Sequence, residues 1–322
     1  MKPNLPLLFS ALALALPSLP ANAQTWPAKP LRVIVPVGAG STTDIIPRVV
    51  FEQLGPQLGQ NIIVENRTGA GGTIGSGMVA RAEPDGYTIL AHGSAHTIAP
   101  ALYSSLPYHP ARDFAAVVSL GISPVVLVVS PAKGFKTARD LVAMAKAKPG
   151  TFNFSSVGLG SATHLSAERF RFSAGIEVAH IPYKGGAEAM LEAMAGRVEF
   201  FFGPVGIVLP NVREGKLAAL AVNSSKRSAA LPDVPTTAEA GFADAEYPIW
   251  FALFLPAKAP REIVDKLNRE TLKALQAPKL RDRLAQLGLD PMIMSPQELD
   301  THVQKEIALN AALVKAIGIK PA

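Results

Sequence analysis

The chain has 322 residues, 48% of them apolar, 17% charged and none cysteine. That suffices for one large or two medium domains with a sizeable core, and it excludes disulfides, thiolate metal sites and a cysteine nucleophile. A formal net charge of +6 suits an anionic solute, but the basic residues are scattered with no arginine-rich or aromatic-interleaved motif, so no nucleic-acid partner is expected.

The first residues read as a secretory leader. Lys2 is a short positive region, Leu5 to Leu16 an apolar run too short to span a bilayer, and Ala21-Asn22-Ala23 an A-x-A cleavage site. Residues 1–23 are therefore expected to be a signal peptide, with the mature chain starting at Gln24 in the periplasm. The same short run disfavours a retained anchor, and no later stretch is long and apolar enough for a transmembrane helix.

Leu31–Val35 reads as a buried strand. It feeds Pro36-Val37-Gly38-Ala39-Gly40-Ser41-Thr42-Thr43-Asp44, and then a helical pattern places Ile46, Val50, Leu54 and Leu58 on one face. A strand-to-helix turn of this kind leaves the first helical N–H groups unpaired. Those donors and the helix dipole favour an anion. A second strand, Asn61–Glu65, runs into the glycine-rich stretch 66–75, where backbone can come close to a ligand or a neighbouring helix. Pro84-Asp85-Gly86-Tyr87 is a turn, and strand Thr88–Ala91 then delivers His92-Gly93-Ser94-Ala95-His96 as a loop to the same sheet edge. Strands alternating with helices predict an α/β fold with mainly parallel sheets, whose ligands bind beyond the strand carboxyl ends.

The continuously apolar Val125–Val129 marks a first crossing into a second lobe. Thr137 reads as the N-cap of a helix burying Leu141, Met144 and Ala145, ended by Pro149-Gly150. Strand Thr151–Ser155 then leads to Gly158-Leu159-Gly160-Ser161-Ala162-Thr163, which repeats the G-x-G-S-x-T spelling of the first turn before a helix over 161–173. Strand Ile176–His180 follows, then Ile181-Pro182-Tyr183-Lys184-Gly185-Gly186 and a helix carrying Met190, Leu191 and Met194. Strand Val198–Phe202 ends at Gly203-Pro204, and a last strand is expected at Leu217–Val222. Near Tyr247–Phe254 the chain crosses back, and helices 260–275, 278–287 and 296–316 cover the first lobe. The expected division is residues 24–124 plus 248–322 against 125–247. Two lobes with paired connections can close on a ligand by a hinge.

Several stretches together carry a family resemblance. They are Trp26-Pro27-Ala28-Lys29-Pro30-Leu31-Arg32-Val33-Ile34-Val35-Pro36, Val64-Glu65-Asn66-Arg67 with Gly69-Ala70-Gly71-Gly72, Pro84-Asp85-Gly86-Tyr87-Thr88, Pro100-Ala101-Leu102-Tyr103, Pro182-Tyr183-Lys184-Gly185-Gly186 and Leu231-Pro232-Asp233-Val234-Pro235-Thr236. In this order the chain resembles the periplasmic receptors of tripartite tricarboxylate transporters, the Bug or TctC family. The resemblance implies a two-lobed periplasmic-binding-protein fold (Venus-flytrap, type II-like) with one carboxylated solute between the lobes. It implies that the turn Val37–Asp44 holds a carboxylate through N–H groups and hydroxyls, with Ala39, Gly40, Ser41, Thr43 and Asp44 as site residues. The turn Ser156–His164 would close from the other lobe through Ser156, Gly160, Ser161, Ala162 and His164. The loops His92–His96, Tyr183–Gly186 and Phe202–Gly206 would stand nearer the variable end, with His92, Ser94, Tyr183 and Gly203 as their site residues. No catalysis, cofactor or metal is implied. The implied partners are two integral-membrane transporter subunits, and the receptor is expected to be a monomer.

Three departures stand out. Gly40-Ser41 replaces the paired glycines common in the family and adds a hydroxyl. Pro47 lies in the first helical turn, where its missing N–H costs little. Gly203 stands where an aspartate is common, within Phe200-Phe201-Phe202-Gly203-Pro204-Val205-Gly206. Without that acid a ligand ammonium would be buried unpaired, which is costly. The expected ligand is a carboxylate without an ammonium group, its body open to being apolar or aromatic.

Blander and sharper readings compete at several residues. Ser41, Thr42 and Thr43 could be plain helix caps, which is compatible with ligand contact. Asp44 reads as a brace, since it would repel an anion. Gly38-Ala39-Gly40 lacks the third glycine of a dinucleotide fingerprint. His92 and His96 have a metal spacing without partner carboxylates, so a polar pocket contact is favoured for one of them. Ser161 and His164 suggest the rival class, an exported hydrolase, but no G-x-S-x-G elbow surrounds the serine, and His164 reads as structural. One of Phe200, Phe201 and Phe202 is free to face the ligand. Trp250 reads equally as hinge packing or ligand stacking. A receptor serving a sensor instead of a transporter fits the same residues.

Overall fold

The computed structural model describes residues 26–321, so the expected leader and its cleavage site lie outside it. The first part of the chain forms β1 (Leu31–Val35), α1 (Thr42–Leu58), β2 (Ile62–Asn66), α2 (Thr73–Ala80), β3 (Thr88–Gly93), α3 (Ser94–Leu102) and β4 (Phe114–Ser123). The middle forms β5 (Val125–Val129), α4 (Ala138–Ala147), β6 (Phe152–Ser156), α5 (Ala162–Ala174), β7 (Val178–Pro182), α6 (Gly186–Met194), β8 (Phe200–Pro204), α7 (Val205–Arg213) and β9 (Ala218–Val222). The last part forms β10 (Ile249–Pro256), α8 (Arg261–Gln276), α9 (Pro278–Gln286) and α10 (Pro296–Ala316).

Two five-stranded sheets result, ordered β2-β1-β3-β10-β4 and β7-β6-β8-β5-β9. In each, one strand runs against its neighbours: β10 is antiparallel to β3 and β4, and β5 to β8 and β9. The remaining ladders, β1 with β2 and β3 and β6 with β7 and β8, are parallel. The parallel strands end at the same edge of each sheet, which brings their following helices to the space between the sheets.

Burial of apolar side chains holds each layer. Ile46, Val50 and Leu54 of α1 are fully buried against Leu31, Val33 and Val35, each stabilising by about 1.5–3 kcal/mol relative to exposure. Pro47, expected in the first helical turn, is the sixth residue of α1 and lies in its second turn, because the helix starts only at Thr42, so its missing N–H leaves the Thr43 carbonyl without the usual helical donor. Gly59 closes the helix in the left-handed conformation at φ 67°. In the second sheet the alternation of β8 separates its three phenylalanines. Phe200 and Phe202 pack with Phe170 on one face, and Phe201 packs with Val205 and Val208 on the other. Thr137 caps α4 through a capping box with Asp140. Met144, expected on the buried face, is 42% exposed, because Val142 together with Leu141 and Ala145 fills that face.

Two segments connect the sheets. Pro124 alone separates β4 from β5, and residues 223–248 return the chain to β10. Asn223, fully buried, ties the two together. Its Oδ1 accepts from the Val125 N–H at 3.1 Å, its Nδ2 donates to the Tyr247 carbonyl at 2.9 Å, and its own N–H and C=O bond Val125 and Tyr247 in turn. Tyr247 also joins Ile98, Leu165, Leu313 and Val314 in an apolar cluster beside this junction.

Candidate ligand cleft

The two G-x-G-S-x-T turns fold alike. Gly40 and Gly160 adopt left-handed φ values of 80° and 72°, which a side chain would strain. The Gly40 N–H donates to Asp44 Oδ2 at 2.9 Å, and the Gly160 N–H donates to His164 Nδ1 at 3.1 Å. Ser41 Oγ donates to the Gly38 carbonyl at 2.9 Å, and Ser161 Oγ to that of Gly158 at 2.7 Å. The residue four places after each second glycine therefore locks its turn from behind. Among the described residues the amides of Thr42 and Thr43 in one turn, and of Ala162 and Thr163 in the other, find no acceptor. Those four N–H groups are left for whatever enters.

The two locks differ in charge. Asp44 is buried and bound by Arg48 and Asn66, each at 2.8 Å. Burial pushes its carboxyl up, but the bonds from Gly40, Asn66 and Arg48 outweigh that and hold it below the usual carboxylate value. His164 stacks on His180 with centroids 4.0 Å apart, and His180 Nε2 lies 2.6 Å from Ser156 Oγ. Burial, with His180 and Arg171 nearby, pushes His164 down to about 3, so its Nδ1 stays a neutral acceptor for Gly160. The imidazole thus faces a backbone amide, not the Ser161 hydroxyl, and Ser161 is committed to Gly158 and its helix cap. No nucleophile and base pair forms there.

A cleft of about 860 Å³ opens between the sheets. Six helix N-termini meet on it: Ser41–Thr43 before and in α1, Gly71 and Gly72 before α2, Gly93–Ala95 at α3, Ser161–Thr163 at α5, Gly185–Ala187 at α6, and Pro204, Gly206 and Ile207 at α7. Each presents the positive end of its dipole. Among the described residues no acidic side chain lines the space. Ile45, Ile46, Val157, Phe201, Ile249, Trp250, Phe251 and Leu287 supply apolar wall. Trp250 is fixed from behind, its Nε1 donating to Glu306 Oε2 at 2.8 Å and its N–H to Ser94 Oγ at 2.9 Å.

Of the residues expected at the site, Gly40, Ser41, Thr43, His92, Ser94, Ser161 and Ala162 line the cleft. Ala39 stands at the exposed tip of its turn. Asp44, Ser156, Gly160 and His164 lie behind the turns they brace. Tyr183 lies against the Met190 side of its lobe. Gly203 looks into the sheet: a Cβ there would fall 2.4 Å from Val208 Cγ1 and 2.6 Å from the Phe201 ring. Phe201 occupies the room beside it and is the phenylalanine of the three that reaches the cleft. The stretch expected as a loop over His92–His96 is instead the end of β3 and the start of α3. His92 lines the cleft and burial pushes it down to about 3; its Nδ1 has no hydrogen-bond partner among the described residues. His96 is sealed in an aromatic nest, 4.8 Å from Phe114 and 5.1 Å from Phe254 between ring centroids. Burial holds it, too, well below its usual value. Thr42, Thr163 and Lys184 line the cleft within stretches expected there although they were not singled out, and Ile207 lines it just beyond the expected stretch 202–206; the free helix-start amides were the signal that could have singled out the two threonines.

Two α/β sheets joined by a paired connection, with helix N-termini facing one another over an open cleft, define a two-lobed solute-binding receptor of the periplasmic-binding-protein type. The family model described as "Tripartite tricarboxylate transporter family receptor" matches residues 46–319, and the chain belongs to that family. It is a receptor and not an enzyme. It is 37% identical over 303 residues to protein BugT of Bordetella pertussis, covering 94% of this chain and 93% of that protein. Among solved structures, R. palustris Rpa4515 with adipate is 32% identical with a TM-score of 0.82, over 92% of this chain and 100% of that one. MatC (Rpa3494) from Rhodopseudomonas palustris with bound malate is 31% identical with a TM-score of 0.78, over 90% of this chain and 100% of that one.

Proposed function

We propose that this receptor, exported behind residues 1–23, captures a small carboxylate without an ammonium group as a periplasmic monomer and presents it to the integral subunits of a tripartite transporter. The observation that carries the reading is the electrostatic make-up of the cleft: six helix N-termini, four unpaired amides in two opposed turns, and no acidic side chain among the lining residues described. An anion is favoured there. An ammonium would find no carboxylate to pair with. Gly203 faces Val208, so it is the lining as a whole that disfavours an ammonium.

In this reading Ser41, Thr42 and Thr43 hold the carboxylate from the lobe made of residues 24–124 plus 248–322. Ser161, Ala162 and Thr163 close on it from the lobe 125–247. His92 and Ser94 border it, and Ala39 shields its outer side. Asp44, Ser156, Gly160 and His164 keep the turns in shape, while Tyr183 and Gly203 support the wall that carries Phe201. A solute touching both turns favours the closed form, which the membrane subunits then read. The similar proteins solved with adipate and with malate support a carboxylate as cargo.

The test is titration calorimetry of the mature chain with plain carboxylates and with aspartate and glutamate, alongside mass spectrometry of the solute that co-purifies. One-site binding of a plain carboxylate, with the ligand recovered unchanged and the particle compacting in small-angle scattering, is expected. Tight binding of the amino acids alone would overturn the reading.

A further inference from the structure

Pro100-Ala101-Leu102-Tyr103 closes α3 and stands apart from the residues that line the cleft. Its last two side chains nevertheless reach loops on both sides of that space. α3 follows β3 of the first sheet, yet Leu102 lies against Gly160, in the turn between β6 and α5 of the second. A Cβ at Gly160 would overlap Leu102 Cδ1 and fall 3.2 Å from Cδ2. Tyr103 lies against Gly71, between β2 and α2, where a Cβ would overlap the tyrosine hydroxyl and fall 3.2 Å from Cζ. Both glycines are left-handed, at φ 72° and 64°, so backbone conformation and close approach each call for glycine. Gly71 lines the cleft, and Gly160 leads directly into Ser161, Ala162 and Thr163, which line it from the other side.

α3 is held along its length. At its start Ser94 Oγ accepts from the Trp250 N–H at 2.9 Å. In its middle Thr97 Oγ1 accepts from Asn310 Nδ2 at 3.0 Å and lies 2.9 Å from Glu306 Oε2, which fastens it to α10. At its end Leu102 packs on the cluster that contains Leu165 of α5. A helix fixed to the first sheet's layer thus delivers an apolar side chain to the turn that opens α5.

We propose that Leu102 is a positioning residue for solute capture, setting how the turn before α5 faces the turn before α1, with Tyr103 anchoring the same helix end to the glycine-rich loop. This rests on the carboxylate reading above and adds the residue that fixes the spacing of the two amide-lined turns. Leu102 acts through Gly160, whose N–H is bound to His164 and whose backbone carries on into the free amides of Ala162 and Thr163. With the apolar bulk removed the turn is free to shift, and part of the binding energy goes into re-ordering it.

The experiment is calorimetry of the mature chain with succinate, adipate and hexanoate as probe acids, beside urea unfolding of every variant. Leu102→Ala is expected to bind the best of the three about tenfold more weakly than the wild type, Leu102→Val about threefold more weakly, and Leu102→Met within about twofold. Leu141→Ala truncates the core of the second sheet away from the cleft, so it loses stability but keeps the wild-type affinity. Gly160→Ala binds about a hundredfold more weakly, through overlap with Leu102 and the strained φ. In the double variant Gly160→Ala, Leu102→Ala the added methyl has room, and affinity recovers to within about threefold of Leu102→Ala alone. An affinity unchanged in the folded Leu102 truncations, an equal loss in Leu141→Ala, or additive losses in the double variant would overturn the proposal while leaving the carboxylate receptor intact. Failure of the wild type to bind any of the three acids would defeat both.

Discussion

Acid should weaken this protein well before its carboxylates titrate, because buried neutral imidazoles sit at the cleft. His92 and His164 are each 2% exposed and each pushed down to about 3 by burial. In the unfolded chain a histidine titrates near 6.5. Below that pH the unfolded state binds protons that the folded state refuses, so stability falls as pH drops, until the folded value near 3 is reached. Between about pH 7.5 and pH 5 each residue contributes a loss of about 2 kcal/mol, and the pair about 4 kcal/mol. Because pH 5 lies far above the folded values, the unfolded value sets the size of the loss. Against a total stability of about 5–15 kcal/mol the effect is large. Asp44 and Glu65, both held below the usual carboxylate value, add losses only at lower pH. His96 and His180 are shifted by burial in the same direction as the pair, so they deepen the loss. Urea unfolding followed by tryptophan fluorescence at the two pH values gives the measurement. In His164→Asn the amide oxygen takes the place of Nδ1, keeps an acceptor for Gly160 and cannot titrate, so the loss should shrink by about 2 kcal/mol. A stability that changes by less than about 1 kcal/mol between those pH values would refute the reasoning.

Two further predictions concern the connection between the lobes. Asn223→Ala strands the buried Val125 N–H and takes a donor from the Tyr247 carbonyl, and should cost about 2–4 kcal/mol in unfolding experiments. Asn223→Asp keeps the acceptor but turns a carboxylate toward that carbonyl, so it should be at least as damaging; wild-type midpoints in both would dismiss Asn223 as the tie. Gly206 meets the other lobe so closely that a Cβ would fall 2.3 Å from the Leu287 carbonyl oxygen. Gly206→Ala should wedge the lobes apart, weaken ligand binding about tenfold and cost about 1–3 kcal/mol. An unchanged affinity would show that this contact does not govern closure.

Local chemistry made much of this legible in the sequence. The repeated G-x-G-S-x-T spelling identified both turns, because left-handed glycines followed by a serine at the N-cap position leave few other uses for that pattern, although only Ser161 caps its helix through the side chain. The cap of α4 and the three C-terminal helices were equally plain. What escaped depends on distant partners. Phe114–Ser123 forms the longest strand of its sheet only because β10 lies beside it. Val205–Arg213 is a helix although it contains Gly206 and Pro210, since packing of Val205, Val208 and Leu209 overrides their propensity. His92 and His96 sit among Gly, Ser and Ala and read as loop, yet antiparallel pairing with Phe251 and Ala252 extends the strand through Gly93. Alternation put Phe201 opposite Phe200 and Phe202, but which face looked on the cleft was fixed by the neighbouring strands.

The order of strands has a consequence for how the polypeptide is made. Every strand of the second sheet comes from one uninterrupted stretch, Val125 to Val222, so that sheet needs nothing synthesised later. The first sheet is different. Its β3 and β4 are not neighbours, and the gap between them is filled only by Ile249–Pro256. A nascent chain that stops short of that segment carries two unpaired inner edges, the kind of surface that invites aggregation. The inner half can mature on its own schedule, whereas the outer half must wait until Ile249–Pro256 has emerged.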